Sequence, residues 1–528
     1  MRRSVIAGGD VIDGTGAPTA RADIFIQGDV ITDVRPASDV HPGWEVVDAT
    51  GLTISPGFID VHTHADNAPF LDTDDASKIR QGATTEVVGN CGISLAPVAP
   101  EHRHELGIML QRLMPPVDFH GDTSRELFEA ADARGYVTNY APLIGLGTVR
   151  IGAMGMRAQP PTTAELRTMQ SFIEEALDAG AFGISSGLIY PPSAYATTDE
   201  LVALASVLRP GTLYATHMRN ESDQLSEAVA EAVEVGERAK ARVQISHHKA
   251  SGKENWGKTK ATLAFLADAR TRGVDVHQDV YPYVAGSTML TATLPPEFHE
   301  GGDEKLYAAI SEPATLETIR TIVTKGRPGF ENFVHMAGYD GILISGTASG
   351  NYVGKTIAEV ARDLSIPEFD ALIRVLRDER LKATMVIFTM DETDVARVLS
   401  DAATVVGSDS LPPGMGGNPH PRAFGTFPRV LSHYVRERKT IGFEAAIRKM
   451  TSLPASIFSI PSRGTIGPGF TGDLVAFDRN AISDDLDFKA SDKPPKGIAW
   501  VMQAGEIVVK DGDYIGPRRG RRLTPNVA

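Results

Sequence analysis

The sequence predicts an α/β protein: a TIM-like (β/α)8 barrel with a small β-sandwich domain built from both chain ends and a lid subdomain inserted late in the barrel. Three observations predict it. Short apolar runs alternate with helix-like stretches through the middle of the chain. The two ends share a different, glycine-punctuated β pattern. One connection between successive apolar runs is far longer than a βα loop requires.

The chain opens with SVIAGGDVIDG, ADIFIQGDVITDV and WEVVDATGLTISPG, alternating runs broken by Gly and Asp in the manner of hairpin strands. From Gly57 the apolar runs become FIDVH, TTEVVG, VTNYAPLIG, FGISSGLIY, TLYATHM, RVQISHH, VDVHQDVYPY and ATVVGSDS. Most are separated by stretches with helical spacing, such as TTAELRTMQSFIEEALDAG, SDQLSEAVAEAVEVGERAKA and KTKATLAFLADARTRG. Parallel strands joined by crossover helices have this signature, and eight of them suit a barrel whose chemistry sits at the carboxyl ends of its strands. More than a hundred residues separate VYPYVAGSTML from TVVGSDS, so residues 285–380 are expected to form a helical subdomain or lid over the mouth. After about residue 465 the β pattern returns as GTIGPGFTGDLVAFD and WVMQAGEIVVKDGDYIG. The expected division is residues 1–55 with 465–528 as the small β-domain and 56–464 as the barrel. No internal repeat or low-complexity segment interrupts this plan.

Composition narrows the function. The chain has 528 residues, 42% hydrophobic, enough for a large core. Its formal charge is -15, and PRRGRR near the end is the one short basic run, which argues against nucleic acid or an anionic membrane as partner. The opening MRRSVIAGGDVIDG carries too brief an apolar stretch for a signal peptide or a membrane span. The single cysteine, Cys91, excludes an internal disulfide. The expectation is a soluble, cytoplasmic protein that acts on a small molecule.

His62 and His64 lie two apart on an extended chain, so both imidazoles leave one face. Taken alone, polar residues lining a turn would explain them. Cys91 ends the second apolar run, His217 the fifth, His247 the sixth and Asp409 the eighth. In a barrel those ends meet on one rim, where six metal-competent side chains are hard to explain as packing. Imidazole, thiolate and carboxylate are the usual zinc ligands, and a catalytic zinc keeps one position open for water. Zinc brings that water's pKa to near 7 and polarises a carbonyl, with Asp409 placed to act as general base. That is the chemistry of amide hydrolysis. For Cys91 three roles stand: a small buried hydrophobe, a thiolate ligand between two metal sites, or a Cys–His nucleophile, of which the ligand best suits its histidine-rich rim.

HTHAD, GNCGIS, GLIYPP, THMRNES, ISHHKASGKENWGK, DVYPY, GSDSLP and HPRAFGTFPRVL, with the closing PASIFSIPSRGTIGPGFTGDLVAFD, resemble the N-acyl-D-amino-acid deacylases (D-aminoacylases) of the amidohydrolase superfamily over nearly the whole chain. The resemblance implies a metal-dependent hydrolase barrel that uses zinc to release a D-amino acid and a carboxylate from an N-acyl-D-amino acid. It implies a tightly held zinc on Cys91, His217 and His247, a second, weaker site on His62 and His64 sharing the cysteine, and Asp409 as base. It assigns Arg422, Lys249 and Tyr281 to the substrate α-carboxylate and Tyr190 to the neighbourhood of the scissile carbonyl. A guanidinium can pair with a carboxylate in bidentate fashion, while a lysine and a phenol add further donors. His248 faces the other way on its strand and is expected to pack or to support its neighbour. The stretch SLPPGMGGNPHP is longer and richer in glycine than the family pattern, and the insert is larger, both of which bear on substrate choice.

Four rival readings remain. A cyclic-amide hydrolase of the dihydroorotase or hydantoinase kind would carry a metal-bridging lysine on the fourth strand, where AFGISSGLIY has none. A deacylase restricted to N-acyl-D-glutamate or N-acyl-D-aspartate would need an extra cation near the side chain. D-configured dipeptides are a further substrate class. A non-catalytic barrel would not need all six groups. The D-preference itself rests on the resemblance alone.

Overall fold

A computed structural model describes residues 2–38, 41–414, 416–488 and 491–526, every candidate site residue among them. The chain begins with strands β1 (Arg3–Val11), β2 (Ala20–Gln27), β3 (Val30–Pro36), β4 (Glu45–Asp48) and β5 (Thr53–Pro56). Barrel strands follow as β6 (Phe58–Asp60), β7 (Ala83–Val88), a strand broken at Leu143 into β8 (Asn139–Pro142) and β9 (Ile144–Gly145), then β10 (Gly183–Gly187), β11 (Leu213–His217), β12 (Arg242–Ile245) and β13 (Val276–Val280). An excursion adds β14 (Ala285–Met289), β15 (Ile342–Thr347) and β16 (Ala383–Phe388) before β17 (Thr404–Val406) returns beside β13. The order β6-β7-β8 continues through β9-β10-β11-β12-β13-β17, parallel throughout.

The ring closes between its last and first strands. Asp409 N donates to His62 O at 2.6 Å, and His64 N donates to Ser410 O at 3.0 Å. The closing seam therefore holds three of the candidate site residues. Every residue of β7, β11 and β17 is buried, as expected of parallel strands covered on both faces. The helices foreseen between the runs are present at Thr163–Asp178, Leu225–Ala239 and Thr259–Thr271. The first is started by a capping box in which Thr162 and Glu165 satisfy each other's backbone N–H groups.

The excursion departs from its sequence reading. It contains the expected helices, among them Pro313–Lys325, Ile357–Leu364 and Glu368–Asp378, but also an antiparallel sheet in the order β14-β16-β15. Ala285 pairs with Phe388 across that sheet, so the pairing joins residues about a hundred positions apart, beyond the reach of local periodicity. Its separate core includes Leu290, Ile319, Ile344, Leu372 and Met385.

At the carboxyl end, β18 (Leu474–Phe477), β19 (Ile498–Gln503), β20 (Glu506–Lys510) and β21 (Asp513–Tyr514) join β5, β1, β2 and β3 in one sheet. Strand alternation divides its faces. Leu474, Ala476, Trp500 and Met502 pack with Ile6, Ile24 and Ile54, while Val475, Phe477 and Val501 pack with Phe58, Phe427 and Tyr434 of the barrel side. Among the described residues, no helix is long and apolar enough to cross a membrane.

Candidate metal and substrate site

The carboxyl ends of five barrel strands deliver groups to one place. His62 and His64 follow β6, Cys91 follows β7, His217 closes β11, His247 follows β12 and Asp409 follows β17. Cys91, His247 and Asp409 have φ of +51°, +37° and +51°, in the left-handed region that costs an L residue about 1–2 kcal/mol. The chain thus turns sharply as it leaves each strand, and the surrounding packing sustains the strain. Part of that packing is the approach of the Cys91 loop to β10, where a Cβ on Gly187 would lie 2.1 Å from Cys91 O.

The side chains converge. Cys91 Sγ is 3.3 Å from His62 Nε2 and 3.6 Å from His247 Nε2. Asp409 Oδ1 is 3.3 Å from His64 Nε2 and 3.4 Å from His62 Nε2. Among the described residues, two groups of ligand atoms lie within 4.8 Å of one another: His62, His64, Cys91 and Asp409 in one, Cys91, His217 and His247 in the other. Cys91 belongs to both. All six residues are buried, yet neither ring nitrogen of His217 has a hydrogen-bond partner. Buried imidazole nitrogens are normally bonded, so the free donor atoms together with the S, N and O set fit a zinc centre.

Charge is balanced around this group. Burial pushes the Cys91 thiol up, but the charge on His62 and the adjoining His217 and His247 outweigh it and hold the thiol well below its usual value. Burial likewise opposes ionisation of Asp409, and the charges of Arg422, His62 and His247 reverse that, keeping it well below the ordinary carboxylate range. His64 shows the same contest, with burial overcome by its bond to Asp409 and a resulting rise to about 9.

The substrate candidates line the same mouth. Arg422 Nη1 lies 2.8 Å from Asp409 Oδ2, so the glycine-rich stretch before it still returns the guanidinium to the centre. Lys249 Nζ donates to Glu221 Oε2 at 2.6 Å and is 2.8 Å from His247 Nδ1. The Tyr281 ring faces Arg422 at 4.6 Å and Lys249 at 5.7 Å, while its hydroxyl is 3.7 Å from Met390 Sδ. Tyr190 bonds Thr288 Oγ1 at 2.9 Å and sets its ring 5.1 Å from that of His217. His248 turns away to Thr262 Oγ1 at 2.9 Å.

Two supporting acids escaped the sequence reading. Asp279 on β13 accepts from His247 N and Gln244 Nε2, each at 2.8 Å, and lies 3.3 Å from His62 Nδ1. Glu221 lies 3.0 Å from His247 Nδ1 and 3.7 Å from His217 Nε2 besides holding Lys249. Burial raises the Glu221 carboxyl, but Lys249 and the two histidines lower it much further. Both residues lie inside the motifs DVYPY and THMRNES, and their acidic type at a strand end was the available signal.

Residues 45–132 and 330–509 match the amidohydrolase family. Over 525 residues the chain is 36% identical to a D-aminoacylase of Alcaligenes xylosoxydans xylosoxydans, covering 99% of this chain and 98% of the relative. An N-acyl-D-aspartate deacylase of the same organism is 35% identical, with 99% and 95% covered. The crystal structure of an N-acyl-D-glutamate deacylase from Bordetella bronchiseptica, complexed with zinc and a phosphonate mimic of the tetrahedral intermediate, superposes with a TM-score of 0.82 at 33% identity, covering 99% of this chain and all of that one. The barrel, the converging ligand atoms and these full-length matches agree: the chain belongs to the amidohydrolase family, in the branch of the D-aminoacylases and N-acyl-D-amino-acid deacylases.

Proposed function

We propose that this protein is a zinc-dependent hydrolase that cleaves the amide bond of N-acyl-D-amino acids to a D-amino acid and a carboxylate. The observation that carries the reading is the place of Cys91 Sγ, shared by both groups of ligand atoms at the mouth of a closed barrel. Cys91, His217 and His247 are proposed as the principal zinc ligands, with His62, His64 and Asp409 beside the same thiolate as a second, weaker site. When bound, zinc supplies a Lewis acid for the carbonyl and acidifies water toward neutral pH.

The remaining work falls to the chain's own side chains. Asp409, kept ionised by Arg422 and the histidines, takes the proton of the attacking water and passes it to the leaving nitrogen. Arg422 and Lys249 bind the substrate α-carboxylate, and the Tyr281 ring between them braces both cations. Tyr190, beside His217, borders the scissile carbonyl. Glu221 and Asp279 hold Lys249, His247 and His62 in position. Residues 1–55 with 465–528 act in this reading as a β-domain against which the 56–464 barrel packs.

The test is hydrolysis of matched N-acetyl-D- and N-acetyl-L-amino acids by protein of known zinc content, before and after chelation. Chelator-sensitive release from the D-series alone is expected. Equal release from the L-series, or activity indifferent to metal removal, would refute the reading.

A further inference from the structure

A second cavity of about 150 Å³ opens beside the pocket that holds the metal-competent group, and Cys91, Tyr190 and Met289 line both. Met109, Leu188, Leu294, Phe330 and Phe333 supply apolar parts of its wall. A cavity of this volume has room for a benzene-sized guest, more than an acetyl methyl requires.

Among the described residues two arginines line it, and both are already neutralised. Arg112 donates twice to Asp303 Oδ1, at 2.9 Å and 2.5 Å. Arg219 forms a fork with Glu231, at 2.9 Å and 2.8 Å. The remaining ionisable groups on the wall add no positive charge. Burial, assisted by Arg112, lowers His299 to about 3, which leaves it neutral. Glu331 is 6% exposed; its Oε2 accepts from Glu221 N at 2.8 Å, whereas its Oε1 has no hydrogen-bond partner. Burial and the Glu221 carboxylate push Glu331 up to about 8. It supplies no positive charge in either protonation state.

We propose that this cavity receives the amino-acid side chain of the substrate, and that Glu331, with Arg112 and Arg219 tied to their own acids, restricts it to neutral side chains of the size of leucine, methionine or phenylalanine. The inference rests on the deacylase reading and chooses a substrate class within it. A D-aspartyl or D-glutamyl side chain would be stripped of water among apolar groups without an unpaired cation to receive it, a heavy penalty for a carboxylate. Sequence identity does not make this choice, because the D-aminoacylase and the N-acyl-D-aspartate deacylase resemble the chain almost equally.

The experiment compares kcat/KM for N-acetyl-D-Leu, -Met, -Phe, -Glu and -Asp, with N-succinyl-D-Leu added to place a charge on the acyl arm instead. The neutral series is expected to exceed the acidic one by at least about 100-fold. Glu331→Arg should narrow that ratio by at least about tenfold, while Glu331→Gln should alter it far less. N-acetyl-D-Glu turned over as well as N-acetyl-D-Leu overturns the inference and leaves the deacylase reading standing. Folded Glu331→Arg with an unchanged ratio removes the role given to Glu331. Rejection of N-succinyl-D-Leu together with acceptance of N-acetyl-D-Glu places the acyl arm in the cavity and also overturns the assignment. No hydrolysis of any D-substrate refutes the deacylase reading itself.

Discussion

Arg422 Nη1 stands 2.8 Å from Asp409 Oδ2, and its Nη2 donates to Ser287 O at 3.0 Å, so a fully buried guanidinium is shared between the general-base candidate and the inserted segment. A substrate carboxylate arriving here competes with Asp409 for the same cation. Arg422→Ala is therefore expected to raise KM at least tenfold and to abolish the advantage of a free α-carboxylate over an α-carboxamide. Arg422→Lys should recover little, because a point charge lacks the planar fork. An unchanged KM in the alanine variant would remove Arg422 from substrate binding.

Asp409→Asn tests the division between base and ligand. Loss of a general base typically costs about 10²–10⁴-fold in rate. Turnover should fall by that order while zinc on Cys91, His217 and His247 stays near the wild-type level by metal analysis. Parallel loss of zinc would make Asp409 chiefly a ligand.

Cys91→Ala removes the one atom common to both ligand groups, so zinc content per chain should fall sharply along with activity. Wild-type zinc occupancy in that variant would show that the thiol only packs.

Glu221→Gln would leave Lys249 buried without its carboxylate. Breaking a buried ion pair from one side costs about 3–5 kcal/mol. A lower Tm is expected even in metal-free protein, and an unaltered Tm would mean that Lys249 finds another partner.

Glu86 on β7 offers a pH test away from the reacting groups. Burial raises its carboxyl to about 7, while Thr63 and Thr138 hydroxyls donate to it. Because the folded state holds this proton more tightly than the unfolded chain, stability declines as pH rises from the ordinary carboxyl range near 4.5 to about 7, then levels once both states are ionised. Denaturant unfolding should show Glu86→Gln matching the wild type at pH 4.5 and exceeding it at pH 8. Parallel stability curves would contradict this account.

Much of the barrel was legible because buried parallel strands must be apolar on both faces, so TTEVVG and ATVVGSDS stand out between amphipathic helices. The metal-competent residues were legible for a related reason: polar groups following such runs have few places to go except the strand-end rim. The inserted sheet was not legible. Its strands are short, and their partners, such as Ala285 and Phe388, are remote in sequence. Glu331 carried no sequence signal either, since its position on the cavity wall depends on how the insert meets the segments that follow β10 and β11.

By itself the sequence determined the period of the elements, the residue types available at the strand ends and the absence of a second thiol, all of which are local properties of the chain. The tertiary structure decided what those residues face. Closure of the ring through Asp409 N and His62 O brought the first and last strands together. Left-handed turns at Cys91, His247 and Asp409 accompanied the convergence of their side chains, and the ion pairs at Arg112 and Arg219 removed positive charge from the neighbouring cavity. Hydrogen bonds and charges act through distance in space, and the distances that matter here join residues as much as 347 positions apart, because His62 meets Asp409.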